Sequence, residues 1–304
     1  MAGVAPREDN SALGLAIMCL AVTLFTCIDT SAKWLILAGL PALQVVFCRY
    51  LGHFLLALVL YLPQEGADAF RSVNWPIQAA RSLFLLLSTT FNFSALAHLD
   101  LTVTTTIMFA LPIAVTLLSI PVLGEKVGLR RFLAILVGFS GVLIVIQPWG
   151  VQFQPAMMLS LGALTFASLY FVLTRKLAGA ETTATSQIWS AGVATVCISP
   201  FAVGGWTWPE TTLDALVLCA IGVFGGIGHI AATVAHRYAD ASVLSPVTYL
   251  QMVMATIASI VIFSVWPTVW TLIGATVILS CGLYIWHRET AASKERRRMG
   301  IAPR

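Results

Sequence analysis

Residues 97–146 read AHLDLTVTTTIMFALPIAVTLLSIPVLGEKVGLRRFLAILVGFSGVLIVI. Two apolar runs, 102–123 and 129–147, flank one short charged hairpin at Gly124-Glu125-Lys126. An α-helix rises about 1.5 Å per residue, so about 20 mostly apolar residues cross the hydrocarbon layer of a bilayer. Each run has about that length. A water-facing helix would carry charge along one whole face; here the charges gather around the hairpin. The stretch therefore predicts two membrane-spanning helices joined by a tight turn.

The pattern continues in both directions. Upstream, apolar runs cover 12–36, 42–62 and 76–97; downstream they cover 156–177, 184–205, 213–236, 242–264 and 268–287. The breaks between them are turn-forming or charged, as at Gly39-Leu40-Pro41, Gln64-Glu65-Gly66-Ala67-Asp68, Gln147-Pro148-Trp149-Gly150 and Trp266-Pro267. Trp149, Trp206, Trp208, Trp266 and Trp270 mark run ends, at the headgroup level that tryptophan favours. The expected fold is all-α: a polytopic membrane protein of ten transmembrane helices.

Composition points the same way. Of 304 residues, 59% are hydrophobic and 10% are charged, against about 25% charged in a soluble domain. Mean hydropathy is +0.90. So few charges cannot cover a surface in water, and the apolar excess must meet lipid. The first apolar run is too long for a signal peptide and lacks a small-residue cleavage site, so it is expected to stay as a span. The cysteines Cys19, Cys27, Cys48, Cys197, Cys219 and Cys281 lie inside apolar runs without CxxC spacing. They read as packing residues, not as metal ligands or disulfides. The net charge of +4 orients the chain in a membrane and does not imply nucleic acid.

Lysine and arginine mark the cytoplasmic side. With the N-terminus inside, that side receives Arg7, Arg71, Arg81, Lys126, Arg130, Arg131, Arg175, Lys176, Arg237, Arg288, Lys294, Arg296, Arg297, Arg298 and Arg304, fifteen of the seventeen. The remaining two, Lys33 and Arg49, lie within the first two runs, and the external loops carry none. Both termini are expected in the cytoplasm, which requires an even number of spans.

Residues 236–286 resemble the opening stretch. They read HRYADASVLSPVTYLQMVMATIASIVIFSVWPTVWTLIGATVILSCGLYIW. Each stretch has a hydroxyl-rich helix start, a long helix interrupted in its middle, a hairpin and a glycine-containing last helix. Two five-helix halves must have opposite orientations, because five is odd. That plan places a substrate site between the halves near the midplane. The expected division is a tail at 1–11, a first half at 12–147, a second half at 156–287 and a basic tail at 288–304.

Several segments carry a family resemblance: TCIDTSAKWL in the first span, FCRY in the second, ALPIAVTLLSIPVLGEKVGLRRFLAILVGFSGVLIVI across the fourth and fifth, SLYFVLTRKL in the sixth and YADASVLSPVTYLQMVMATIAS in the ninth. Over nearly its whole length the chain resembles the drug/metabolite transporter superfamily, in its ten-helix EamA-type branch. One departure is the hairpin of the second half, Phe263-Ser264, where the family often keeps Gly-Glu. The resemblance implies a carrier of small metabolites in a bacterial inner membrane. Members include exporters of amino acids and importers of riboflavin or S-adenosylmethionine.

Charges inside a membrane are costly and hence informative. Asp29 and Lys33, four apart, share one face of the first span. Asp29 and Arg49 are each about seven residues from the external ends of adjacent spans, roughly 10 Å deep. The expectation is an Asp29–Arg49 ion pair with Lys33 nearer the surface. That trio is either a structural clamp with a snorkelling lysine or a positive site for a carboxylate substrate.

Cavity candidates lie on other spans. The third carries Thr89 and Asn92, and the fourth holds Phe109 and Pro112 near its middle. The ninth matches with Pro246, Tyr249 and Gln251. Proline removes a backbone donor and frees a carbonyl, which a cavity can satisfy. Phe166 and Tyr170 share a face of the sixth span, as core or as an aromatic wall. In the eighth, Gly222 and Gly226 have the GxxxG spacing of tight helix contacts. His229 follows them, as a substrate or proton ligand or a buried neutral histidine.

No GxxxxGK[ST], HExxH or GxSxG occurs in the chain, so ATP-driven and hydrolytic chemistry are not indicated. No cofactor is expected, and a monomer suffices. The reading is a secondary transporter working by alternating access, an exporter of amino acids with broad specificity. Riboflavin or S-adenosylmethionine uptake is the alternative, and an intramembrane enzyme the remote one.

Overall fold

The structure is a computed structural model that describes residues 10–123, 129–150, 153–177, 179–239 and 241–298. The Gly124-Glu125-Lys126 hairpin and the outer parts of both tails lie outside the described residues, as do the side chains of Arg130, Arg131 and Ser245. The described chain is all helix with turns between: α1 (Ser11–Leu37), α2 (Ala42–Glu65), α3 (Trp75–Leu96), α4 (Leu101–Met108), α5 (Leu111–Leu123), α6 (Leu129–Ile146), α7 (Met157–Lys176), α8 (Thr183–Val203), α9 (Thr212–Tyr238), α10 (Ala241–Thr248), α11 (Leu250–Phe263) and α12 (Val269–Arg298). A 3₁₀ turn, Gly66–Phe70, follows α2.

Local chemistry fixes the ends. The side chains of Asn10, Asn74, Thr182 and Thr211 accept backbone N–H groups at the starts of α1, α3, α8 and α9, satisfying donors that a first turn leaves free. Gly39 has φ +92° in the turn after α1, a conformation glycine adopts without strain.

Two boundaries differ from the sequence expectation. The break at 64–68 is taken up by the end of α2 and the 3₁₀ turn, because the Gly66 N–H bonds the Leu62 carbonyl. The last helix runs to Arg298, past its apolar part, because residues 288–298 hold no glycine or proline to stop it.

Among the described residues, eight helices are long and apolar enough to cross a membrane when α4–α5 is taken as one broken span. The apolar part of α6, Phe132–Ile146, is shorter. With α3, whose Gln78, Arg81 and Ser82 are buried, they make ten spans. Burial is inverted relative to a water-soluble protein. Val261 is 74% exposed, whereas Gln44 and Gln78 are fully buried and His53 is 1% exposed. Apolar side chains face outward and polar ones inward, as a lipid surround requires. The chain is a multi-pass membrane protein.

The packing repeats. α1 packs on α9 as α7 packs on α3, α2 meets α9 as α8 meets α3, and α2–α8 and α6–α12 meet across the axis between the halves. These pairings are those of two inverted five-helix repeats. The fourth and ninth spans break at the same point: with Asp100 set against Ala239, Ala110 falls against Tyr249. Pro112 cannot donate to the Met108 carbonyl, and Ala110 N bonds Ile107 O instead at 3.1 Å, so α4 closes tightly and α5 restarts.

The ends of the bundle are tied in the same repeating way. At one end the Gln44 amide grips the loop before α9 twice, donating to Thr207 O (2.7 Å) and accepting from Thr207 N (2.9 Å). Trp34 Nε1 donates to Asp214 Oδ1 at 2.8 Å beside it. At the other end Glu181, just before α8, accepts from Ser72 Oγ (2.5 Å) and Asn74 N (3.2 Å) in the loop before α3. Arg81 Nε donates there to Thr174 Oγ1 at 2.7 Å.

Candidate functional site

Asp29, on α1, faces the interior. Asn92 Nδ2 of α3 donates to its Oδ1 at 3.2 Å, and Gln251 Nε2 of α11 to its Oδ2 at 3.4 Å. The first and second halves thus meet on one carboxylate. The expected Asp29–Arg49 ion pair is not formed; the carboxylate oxygens accept from the two amides. Among the described residues the ion pair is Arg71–Asp68, on the surface, at 3.0 Å.

Lys33 also differs from expectation. It is 8% exposed, and Nζ donates to Leu96 O (2.7 Å) and Leu99 O (2.9 Å). Leu96 is the last residue of α3 and Leu99 lies in the turn before α4, where no helical donor reaches either carbonyl. The ammonium caps that terminus and does not snorkel to the surface.

Arg49 points toward α9. Its Nη2 lies 3.4 Å from His229 Nε2; since arginine only donates, that nitrogen is the acceptor. The His229 ring stacks on His53 at 5.4 Å and meets Phe25 edge-on at 5.2 Å. His53 Nε2 pairs with Gln187 Oε1 of α8 at 3.0 Å. Arg49 Nε and Nη1, His53 Nδ1 and Asn92 Oδ1 are buried without a partner. The glycines of α9 allow this approach. A Cβ on Gly222 would sit 2.6 Å from Gly52 Cα of α2, and one on Gly226 would sit 2.6 Å from a Leu56 methyl.

The other candidates fall into separate places. Thr89 shares a 2.7 Å hydrogen bond with the Tyr50 hydroxyl. Phe109 and Tyr249, at the two helix breaks, face each other with centroids 5.7 Å apart. The Tyr249 hydroxyl occupies the space that the missing side chain of Gly282 leaves on α12. Pro112 is exposed, and its carbonyl accepts from Thr116 at 2.8 Å; its part is to make the break. Phe166 packs on Phe84 and Phe91 at 6.1 and 5.3 Å. Tyr170 accepts from Arg81 Nη2 at 3.0 Å, with the guanidinium 4.7 Å over its ring.

Arg81, His53, Gln78 and Gln187 escaped the sequence reading as interior groups. Arg81 was counted with the cytoplasmic charges although it lies inside the 76–97 run. His53 is four residues from Arg49, on the same helical face, and that spacing was its signal.

The profile of the EamA-like transporter family matches the chain twice, at residues 12–147 and 154–285. A protein of Rickettsia bellii described as an S-adenosylmethionine uptake transporter is 27% identical over 287 residues, 93% of this chain and 97% of that one. A riboflavin transporter of Brucella anthropi is 24% identical over 290 residues, 91% and 99% of the two chains. A pseudopaline exporter of Pseudomonas aeruginosa is 25% identical over 244 residues, 80% and 85%. A crystal structure of a chain 18% identical superposes with a TM-score of 0.61, over 95% of this chain and 99% of that one, a likeness of fold.

Proposed function

The chain belongs to the EamA-like transporter family, and on that premise we propose that it carries amino acids, aromatic and apolar ones included, out of the cell by alternating access. The observation that supports this most is the Asp29 carboxylate, held from α3 of one half and α11 of the other. A group shared between opposed halves near their axis is where a carrier binds its cargo. The aromatic pair Phe109–Tyr249 at the helix breaks suits an apolar side chain. Candidate contacts are Asp29, Arg49, Thr89, Asn92, Phe109, His229, Tyr249 and Gln251. Arg81 and Tyr170 form a second polar and aromatic pair toward the other end of the bundle, and Phe166 packs apart from them on Phe84 and Phe91.

The protein works in the inner membrane as a monomer, with the halves at 12–147 and 156–287 and both tails cytoplasmic. The charge distribution supports that orientation. No chemical step is assigned to it. The second reading, uptake of S-adenosylmethionine or riboflavin, is favoured by the descriptions of two relatives that span nearly the whole chain.

Purified protein in liposomes separates these. Labelled phenylalanine, leucine, S-adenosylmethionine and riboflavin are each offered, and flux and chemical identity are read together. Amino-acid flux without chemical change is the expected result. Flux of the vitamin or the sulfonium compound alone would establish the second reading, and a chemically altered product would mean an enzyme.

A further inference from the structure

We infer that Arg49 anchors a carboxylate of the transported molecule and that Asp29 with Asn92 takes its cationic end, so the site selects solutes that carry both groups. The inference rests on the carrier reading and specifies its cargo.

Two equally buried arginines differ in how far the fold satisfies them. Arg49 and Arg81 are each 6% exposed. Every nitrogen of Arg81 is bonded: Nε to Thr174, Nη1 to Gln78, Ser186 and Ser190, Nη2 to Tyr170. The fold can therefore satisfy a buried guanidinium completely. At Arg49 it does not. Nη2 lies 3.4 Å from His229 and the guanidinium carbon 4.5 Å over the Tyr50 ring, whereas Nε and Nη1 have no hydrogen-bond partner. A buried cation with free donors is costly unless another group takes them. Asp29 forms no ion pair with it; each of its oxygens accepts from one amide and keeps a further lone pair. Lys33 is no substitute as an anchor, because its ammonium is spent on the end of α3.

The complementary end has the opposite sense. Asn92 donates to Asp29, which leaves Asn92 Oδ1 buried and without a donor. Asp29 and Asn92 Oδ1 together accept, as an ammonium requires; Arg49 Nε and Nη1 donate, as a carboxylate requires. Gly225 keeps the approach to Arg49 open. A Cβ there would lie 3.7 Å from Arg49 Cγ and 3.9 Å from Nε. A methyl fits, whereas a longer side chain would lie against the guanidinium.

The test uses full-length protein in detergent and reads the shift in melting temperature caused by matched ligands, which does not require transport. The probes are L-phenylalanine, its methyl ester (no carboxylate) and 3-phenylpropionate (no ammonium). Wild type is expected to be stabilised by phenylalanine at concentrations about tenfold lower than by either analogue, the order expected for loss of one charge-assisted hydrogen bond. In Arg49→Gln the preference for phenylalanine over its ester is lost, while the preference over phenylpropionate remains. In Asp29→Asn the pattern reverses. Should Arg49→Gln not fold, Arg49→Lys, which keeps the charge and loses the planar fork, carries the test with a reduced preference. An unchanged preference for the carboxylate in a folded Arg49 variant overturns the inference. So does a wild type stabilised by riboflavin and by no zwitterion, S-adenosylmethionine included; the carrier reading survives that result and fails only if liposomes show no flux.

Discussion

Lys33 shows how one side chain in a membrane acquires its role. Its ammonium, 2.7 and 2.9 Å from the carbonyls of Leu96 and Leu99, ties α1 to the corner between α3 and α4. Replacing it with methionine keeps the apolar stem and leaves two carbonyls unpaired. Lys33→Met should destabilise the protein by about 2–3 kcal/mol, read as a lower melting temperature in detergent. Discrimination between phenylalanine and its ester should stay at the wild-type value, since the anchor is Arg49. The position of such residues was legible: charges inside apolar runs stand out, and Asp29, Lys33 and Arg49 are all buried or half-buried. Their partners were not. Backbone carbonyls are present at every residue and leave no mark in sequence, and Asn92 and Gln251 are 63 and 222 positions from Asp29. Proximity of spans suggested Arg49 as that partner; amide geometry chose otherwise.

At the scale of helices, glycine positions decide how closely α2 and α9 approach. Gly222 faces backbone: its Cβ would lie 2.6 Å from Gly52 Cα and 3.0 Å from Cys48 O. Backbone cannot rotate away as a side chain can, so α9 must move outward. Gly225 faces the stem of Arg49 at ordinary contact distance. Gly222→Ala should therefore cost about 1–3 kcal/mol from overpacking. Gly225→Ala should be neutral or stabilising by up to about 1 kcal/mol, because alanine is the better helix former. Thermal unfolding of the two variants side by side checks this; equal losses would mean that the helices do not approach as described. The GxxxG spacing announced close packing in the sequence, and the break of the fourth span was legible from Pro112, whereas Pro246 lies inside α10, three residues before the break at Tyr249. Which helix the glycines meet was not, since Gly52 carries no pattern of its own. The end of α2 was misjudged because Gln64-Glu65-Gly66 reads as a loop while its N–H groups still find helical carbonyls.

For the molecule as a whole, the two end clamps are the points at which one side must open while the other stays shut. Gln44 on the loop before α9 and Glu181 on the loop before α3 occupy corresponding places in the two halves. An inverted repeat puts them at opposite faces of the bilayer, so weakening each shifts the same equilibrium in opposite directions. Gln44→Ala removes two hydrogen bonds worth about 1 kcal/mol each. It should raise the outward-open population about tenfold or more, on the face that the charge distribution assigns to the exterior. Glu181→Ala should raise the inward-open population by a similar factor. The interior reporter is Thr89→Cys, on a chain whose six native cysteines are replaced. Labelling by a membrane-impermeant thiol reagent is compared in right-side-out and inside-out vesicles. Gln44→Ala should speed labelling from outside and slow it from inside, and Glu181→Ala should do the reverse. Acceleration from the same side in both variants would show that the two contacts do not close opposite ends, and the assignment of α2 and α8 to inverted halves would fail with it.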